Sequence, residues 1–314
     1  MDKREMRDVL LEELEKAMSN NEKIVVIDAD LAKATGTYPL RQKFSERVFD
    51  VGIAEQNMAS IAAGLASNDM TVFISTFTPF ATRRICDQIA VSICCTKSNV
   101  KIIGTDPGIA AELNGVTHMS VEDIGVLRSI PNIVIYEAVD KIQFQQAMPQ
   151  IIAYDGPVYI RFFRKLIEDV FNPQDYQFDL FKADILIQGN DISILSSGIM
   201  VQESLKAVEL LKKENISAEL INVHTIKPLD ETTILNSVSK TKAVVTCENH
   251  NIIGGLGSAV AELLSIKNPA PMGMIGINDR FGQVGMMPFL KEEFHMTAEN
   301  IAEKVKETLR KKNN

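Results

Sequence analysis

Short apolar runs alternate with helical stretches along this chain at a spacing of about 30 residues, the length of one strand–helix–strand unit. That rhythm constrains the fold more than any single motif. The runs occupy 24–28, 47–52, 71–76, 100–105, 132–137 and 157–162, then 192–197, 218–223, 243–248 and 272–277. They are rich in β-branched residues and too short for helices, as strands buried on both faces should be. Between them, Met6, Val9, Leu10, Leu14 and Met18 recur at helical spacing, and 54–67 is a helix of mostly small residues. Pro79 opens a helix expected to run to about Cys95. Ser120 reads as an N-cap with Glu122 and Asp123 in the first turn. Further helices are expected at 140–153, 199–214, 230–239, from 254–257 to 265, and at 297–312. This predicts an α/β fold with a mainly parallel sheet between helices and right-handed crossovers. The alternation stops between Lys165 and Asp184, in a polar, aromatic, proline-containing stretch. Two domains, 1–165 and 182–314, joined by a linker at 166–181, follow, in keeping with 314 residues.

The net charge is −8 with no basic tract, which argues against nucleic acid or an anionic membrane as partner. No apolar run reaches ~18 residues, and the charged, amphipathic N-terminus is not a signal peptide. Cys86, Cys94, Cys95 and Cys247 form no CxxC pair and no zinc-type spacing with histidine. Reduced thiols in a cytoplasmic protein, with no metal site of its own, are the expectation.

Taken singly, the polar residues are ambiguous. Glu55 in a first helical turn is, by itself, more often a dipole partner, and Arg83 and Arg84 also fit a solvated face. Arg161 and Arg164 also fit contacts to the linker, and His224 and His250, at strand ends, read as structural residues rather than ligands. His118, in a loop, is suited to proton exchange near neutral pH. Gly254-Gly255-Leu256-Gly257 lacks the GxGxxG spacing and reads as a tight strand-to-helix turn. Their order says more. D-L-A at 30–32, F-D-V-G-I-A-E-Q-N at 49–57, S-T-F-x-x-F-x-x-R at 75–83 and N-G-V-T-H at 114–118 each follow a strand. In a parallel sheet such motifs collect at one edge, where ligands bind.

On the strings FDVGIAEQNM (49–58), STFTPFATRRICDQI (75–89), THMSVEDIGVLRSIPN (117–132) and IIGGLGSAVAE (252–262), the chain resembles the transketolase family over nearly its whole length. It is similar to the C-terminal subunit of the split, two-chain form: a pyrimidine-binding domain followed by the transketolase C-terminal domain. The resemblance implies thiamine diphosphate as cofactor. The family's GDG…NN motif for diphosphate and metal is missing; there is no GDG, and Asn20-Asn21 and Asn313-Asn314 lack its context. An N-terminal partner subunit would therefore bring that motif with Mg2+ or a similar divalent ion, in an α2β2 heterotetramer with active sites at interfaces.

The resemblance also implies roles. Glu55 matches the glutamate that hydrogen-bonds N1′ of the aminopyrimidine and so activates the cofactor. Burial in an apolar interface would favour its holding a proton. Phe77 and Phe80 match aromatics that line the pyrimidine, with Arg83 in the same motif, and Asp30 matches an acid near the cofactor. His118 matches a histidine near the donor hydroxyl, a proton relay. Arg164 matches an arginine that grips the sugar phosphate, and Lys33, Asp106 and Asn114 fall at substrate-facing positions.

The chain departs from the family pattern where Asp106 and Asn114 replace a His and an Asp, where Glu112 replaces a small residue, and where Ala34 replaces a phosphate-binding serine. An acid at 106 would repel a phosphate. The expected reaction is transfer of a two-carbon ketol unit to an aldose from a ketose phosphate or a modified analogue such as a sulfo-sugar. Alternatives are an enzyme similar to 1-deoxyxylulose-5-phosphate synthase, whose pattern Arg83 and the Arg161/Arg164 pair also fit, or to a 2-oxoacid dehydrogenase β subunit. A non-catalytic scaffold is a further alternative, against which the joint retention of Glu55, Phe80 and His118 speaks.

Overall fold

The six apolar runs of the first half form parallel strands. They are β1 (Ile24–Asp28), β2 (Val48–Asp50), β3 (Thr71–Phe77), β4 (Val100–Thr105), β5 (Val134–Glu137) and β6 (Val158–Phe162), in the spatial order β5-β6-β4-β3-β1-β2. The computed structural model describes residues 3–312, so Asn313 and Asn314 lie outside it. Strand side chains alternate between two cores. Ile24 and Val26 meet Met6, Val9, Leu10, Leu14 and Met18 of α1 (Met6–Asn20), with Phe144 and Met148 of α7 (Lys141–Ala153). Val25 and Ile27 meet Met58, Ala59 and Ala62 of α4 (Glu55–Ala66) on the opposite face. Each Leu, Ile or Val so buried contributes about 1.5–3 kcal/mol.

The second half repeats the plan. β8 (Ile192–Ser196), β9 (Ala218–Asn222), β11 (Val244–Asn251) and β12 (Met272–Ile277) are parallel, in the order β12-β11-β8-β9. The short β7 (Asp184–Ile187) runs antiparallel along β9. α8 (Met200–Lys213), α11 (Met287–Glu293) and α12 (Ala298–Lys312) cover one face, and α9 (Glu231–Thr241) and α10 (Leu256–Lys267) the other.

Several local expectations need correction. The stretch between β1 and β2, for which no helix was expected, holds two short ones, α2 (Ala32–Thr35) and α3 (Tyr38–Lys43). The helix expected from Pro79 to Cys95 is broken into α5 (Thr78–Ala81), a 3₁₀ turn (Arg83–Ile85) and a π-helical segment (Gln88–Cys94). The Thr82 hydroxyl donates to the Thr78 carbonyl at 2.7 Å, and the backbone leaves helical geometry at Thr82. Such back-bonding competes with the helix ladder.

Ser120 caps nothing. Its hydroxyl is buried without a partner, and α6 (Asp123–Arg128) starts three residues later. The interdomain stretch is tied down: Gln146 and Gln150 of α7 bond the backbone of Tyr176, Phe178 and Leu180, and the last two are buried in the first core. Residues 225–227, assigned by sequence to the second domain, form β10 (Thr225–Lys227), which pairs antiparallel with β5 and extends the first sheet to seven strands.

The glycine-rich turn before α10 is structural. The Glu248 carboxylate accepts the backbone N–H groups of Leu256 and Gly257 at 2.7 and 2.8 Å, filling the anion position at that helix N-terminus. Gly254 (φ +86°) packs on Gly125 so closely that a Cβ would lie 2.9 Å from the Gly125 Cα. His224 and His250 are fully buried and bonded to backbone groups.

Candidate active site

The strands deliver their motifs to one edge, as parallel topology requires. Asp30 follows β1, Glu55 opens α4 after β2, Phe77 ends β3, Asp106 follows β4 and Arg164 follows β6. Two of these turns share a brace. The Asp50 carboxylate accepts the Asp30 N–H at 3.0 Å and the Gly52 N–H at 2.9 Å, with Arg41 3.8 Å away. Asp30 (φ +60°) and Gly52 (φ +72°) both sit in the left-handed region. Hydrogen bonds to a charged group contribute ~1.5–3 kcal/mol each. Asp50→Ala should therefore lower folding stability by about 2 kcal/mol in urea denaturation.

Below this brace lies Asp28, a buried acid that the sequence reading did not single out. It accepts from the Thr37 hydroxyl at 2.7 Å and stands in register with Asp50 and Ser75. Burial pushes its carboxyl up to about 7; the Thr37 bond opposes this and the Asp50 charge adds to it. A folded value above the unfolded one means stability that is fully present below ~3.9 and lost as pH rises towards 7. Asp28→Asn escapes that loss. Its stability relative to the native chain should rise by about 1 kcal/mol per pH unit between pH 4 and 7, then level off. Urea denaturation of both proteins at four pH values checks this.

At the centre, Phe77, Phe80 and His118 form an aromatic triangle. His118 stands edge-on to Phe80 (centroids 5.3 Å, 69°) and to Phe77 (6.0 Å, 67°), and the two phenyl rings are 6.4 Å apart. The His118 Nδ1 is 2.8 Å from the Thr117 hydroxyl. On one side of the triangle lies Glu55, only 4% exposed. Its carboxylate receives a 2.5 Å bond from Arg84, whose guanidinium lies 3.7 Å from the centroid of Phe80. Instead of the purely apolar surroundings expected, Glu55 thus meets a cation. Glu55 and Arg84 line a cleft of about 440 Å³ with Ile53, Ala54, Gln56 and Asn57.

On the other side, the Arg164 guanidinium is 5.0 Å from the Phe77 centroid. Its Nε donates to Asp106 at 2.9 Å, its backbone N–H donates to the same carboxylate at 3.1 Å, and it reaches the Ala34 carbonyl at 3.4 Å. Burial pushes the Asp106 carboxyl up to about 6, with Arg164 holding it back. The charge of Asp106, expected to face a phosphate, is thus directed at Arg164.

One connected cluster therefore holds Glu55, Phe80, His118, Phe77, Arg164 and Asp106. The other sequence-derived residues lie around it. Arg83 turns to Glu122 at 2.6 Å. Exposed Lys33 lies 5.2 Å over the Tyr38 ring. Asp30 is exposed on its turn, and Asn114 is exposed at the end of the Gly108–Asn114 3₁₀ segment. Glu112 (φ +47°) does not face this cluster; it pairs with Lys165 and accepts the Met287 N–H at 3.2 Å, fastening the loop to α11. Arg84 is the functional candidate that sequence reasoning passed over. The sequence carried little signal for it, since the chain between Phe80 and Arg84 leaves helical geometry at Thr82. No group of three or more His, Cys, Asp or Glu that could hold a metal exists among the described residues, and no helix among them is long and apolar enough to cross a membrane.

Fold and site define a two-domain α/β protein with a buried carboxylate next to an aromatic cluster at the C-terminal edge of the strands of its first sheet. Residues 2–169 match the family described as transketolase, pyrimidine binding domain, and residues 181–301 the one described as transketolase, C-terminal domain. The 6-deoxy-6-sulfo-D-fructose transketolase subunit SqwH of Clostridium sp. (strain MSTE9) is 46% identical over 308 residues, covering 98% of this chain and 95% of that protein. A subunit of the apulose-4-phosphate transketolase of Phocaeicola vulgatus is 34% identical over 256 residues, 82% of each. A solved split gene transketolase, an inactive beta4 tetramer, matches with TM-score 0.89 at 38% identity over 98% of this chain and 99% of that one. The chain belongs to the transketolase family.

Proposed function

We propose that this chain is the C-terminal subunit of a two-chain, thiamine-diphosphate-dependent transketolase that moves a two-carbon ketol unit from an anionic ketose to an aldose. The observation that carries this reading is Glu55, a buried carboxylate in the first turn of α4 that lines a cleft with Arg84, whose guanidinium lies on Phe80 of the Phe77–Phe80–His118 cluster. The site's chemistry fits an aminopyrimidine: a planar, nitrogen-rich group, the Arg84 guanidinium, already lies on Phe80 and donates to Glu55. Thiamine diphosphate, when bound, supplies the nucleophilic carbon that accepts the ketol unit.

The chain's own residues would act around it. Glu55 would hold the pyrimidine N1′ and keep or share a proton there. Phe80 and Phe77 would flank the ring and exclude water. His118, its Nδ1 engaged by Thr117, would move a proton at a substrate hydroxyl. Arg164 would orient the anionic end of the sugar, with Asp30, Lys33, Arg83 and Asn114 on the rim. A partner subunit carrying GDG…NN would bring the diphosphate and magnesium contacts in an α2β2 assembly, in the cytoplasm. The division into 1–165 and 182–314 is part of this proposal, with 225–227 reaching back across it.

The name of the Clostridium relative supports a sulfo-sugar donor, and so does the site. A phosphate carries about −1.5 to −2 at neutral pH, a sulfonate a single charge. Pairing with Asp106 reduces the positive field Arg164 offers an anion, which suits the single charge better. The test is reconstitution with the partner subunit, thiamine diphosphate and Mg2+, assayed on 6-deoxy-6-sulfofructose, fructose 6-phosphate, xylulose 5-phosphate and pyruvate. Ketol transfer, fastest from the sulfonate, is expected. Pyruvate decarboxylation without ketol transfer would replace this reading with a synthase or dehydrogenase.

A further inference from the structure

Glu55 and Arg84 differ in their access to solvent. The carboxylate side chain is 4% exposed and the guanidinium side chain 40%. The acid is therefore fixed within the fold, and the cation reaches it from the rim of the cleft on a flexible stem. Gln56 donates to the Arg84 carbonyl at 3.4 Å, an anchor that leaves the side chain free to move. Arg83 is engaged elsewhere, by Glu122, and does not duplicate the contact.

The guanidinium makes two contacts at once: an N–H bond into Glu55 at 2.5 Å and a stack on Phe80 at 3.7 Å. A protonated aminopyrimidine offers the same combination of a flat, delocalised cation, an N–H edge and a π face. Without such a group, Glu55 would be a buried charge with no partner, which is costly. We propose that Arg84 is a resident stand-in for the aminopyrimidine ring. It occupies the seat between Glu55 and Phe80 while the cofactor is absent, and it leaves when the ring enters. Two flat groups cannot lie on the same face of Phe80 at once, so Arg84 competes with the cofactor for that seat. The inference rests on the thiamine reading above and adds a residue that acts against binding.

The test uses Arg84→Gln, which removes the charge, and Arg84→Lys, which keeps it but loses the planar face. 4-Amino-5-hydroxymethyl-2-methylpyrimidine is titrated calorimetrically into the full chain. Thiamine diphosphate with Mg2+ is titrated into the complex with the partner subunit. Melting of the cofactor-free chain is followed in parallel. Arg84→Gln should bind the pyrimidine about tenfold more tightly than the native chain and melt at a lower temperature, with Arg84→Lys between the two. Glu55→Gln should abolish the gain. A merely structural arginine would lower the melting temperature and leave the affinity unchanged; an arginine that grips the cofactor would lose affinity when replaced. Either result overturns the inference, even where the native complex binds thiamine diphosphate normally. If neither compound binds the native chain, its complex or either variant, the thiamine reading fails and the inference falls with it.

Discussion

Glu55→Gln in the assembled enzyme should lower kcat by about 10²–10⁴-fold, the usual contribution of a positioned acid–base group, while the fold survives. Glutamine keeps the volume of the buried side chain and can still accept from Arg84, so little packing is disturbed. What it cannot do is the task proposed for Glu55, holding and releasing a proton at the aminopyrimidine N1′. Arg84 is exposed enough for water to solvate it once its ion pair is weakened, so the melting temperature of the cofactor-free chain should move little. Turnover within about threefold of native, with thiamine diphosphate still bound, would remove Glu55 from the mechanism. Glu55→Ala separates the two effects further: it should be as inactive as the glutamine variant but less stable, because truncating a buried side chain leaves a void and α4 loses an acid from its first turn.

The strands and the site edge were legible because they rest on short-range signals. Fully buried runs such as Ile24–Asp28 and Thr71–Phe77 leave few alternatives once their length and β-branching are read. The placing of Glu55, Phe77, Asp106 and Arg164 on one edge follows from parallel topology alone. What the sequence hid depends on contacts between distant segments. Asp106 read as a lone anion because Arg164 lies 58 residues away, and only the fold sets the two 2.9 Å apart. Glu112 read as a departure from a small residue in the family pattern, and its partners are Lys165 and the start of α11. The helix from Pro79 broke on one hydroxyl, Thr82, which no periodicity reveals. β10 was missed for a different reason: three residues carry no alternation to detect, and their partner strand is about ninety positions earlier.

Arg161 is the sharpest case, and it carries the second large expectation. Read from sequence as a linker contact or as half of an arginine pair that fits the synthase pattern, it is wholly buried. Its guanidinium donates to Asp123 at 2.6 and 3.2 Å, to Glu137, and to the Asn249 carbonyl of β11 at 2.6 Å, so it joins the two sheets. Burial would push Asp123 up, but Arg161 and its neighbours hold that carboxyl below the usual range; burial leaves Glu137 raised despite the same cation. Arg161→Met fills similar space yet leaves two buried acids without their cation. Breaking such a cluster from one side costs about 3–5 kcal/mol. The sign of its pH dependence follows. Without the arginine both acids have folded values above their unfolded ones, so stability is present at low pH and lost as pH rises. Urea denaturation should therefore show a deficit of at least about 3 kcal/mol at pH 8 that narrows towards pH 5. A deficit below about 1 kcal/mol, or one that widens on acidification, would show that the two sheets are held together by apolar packing and not by this cation.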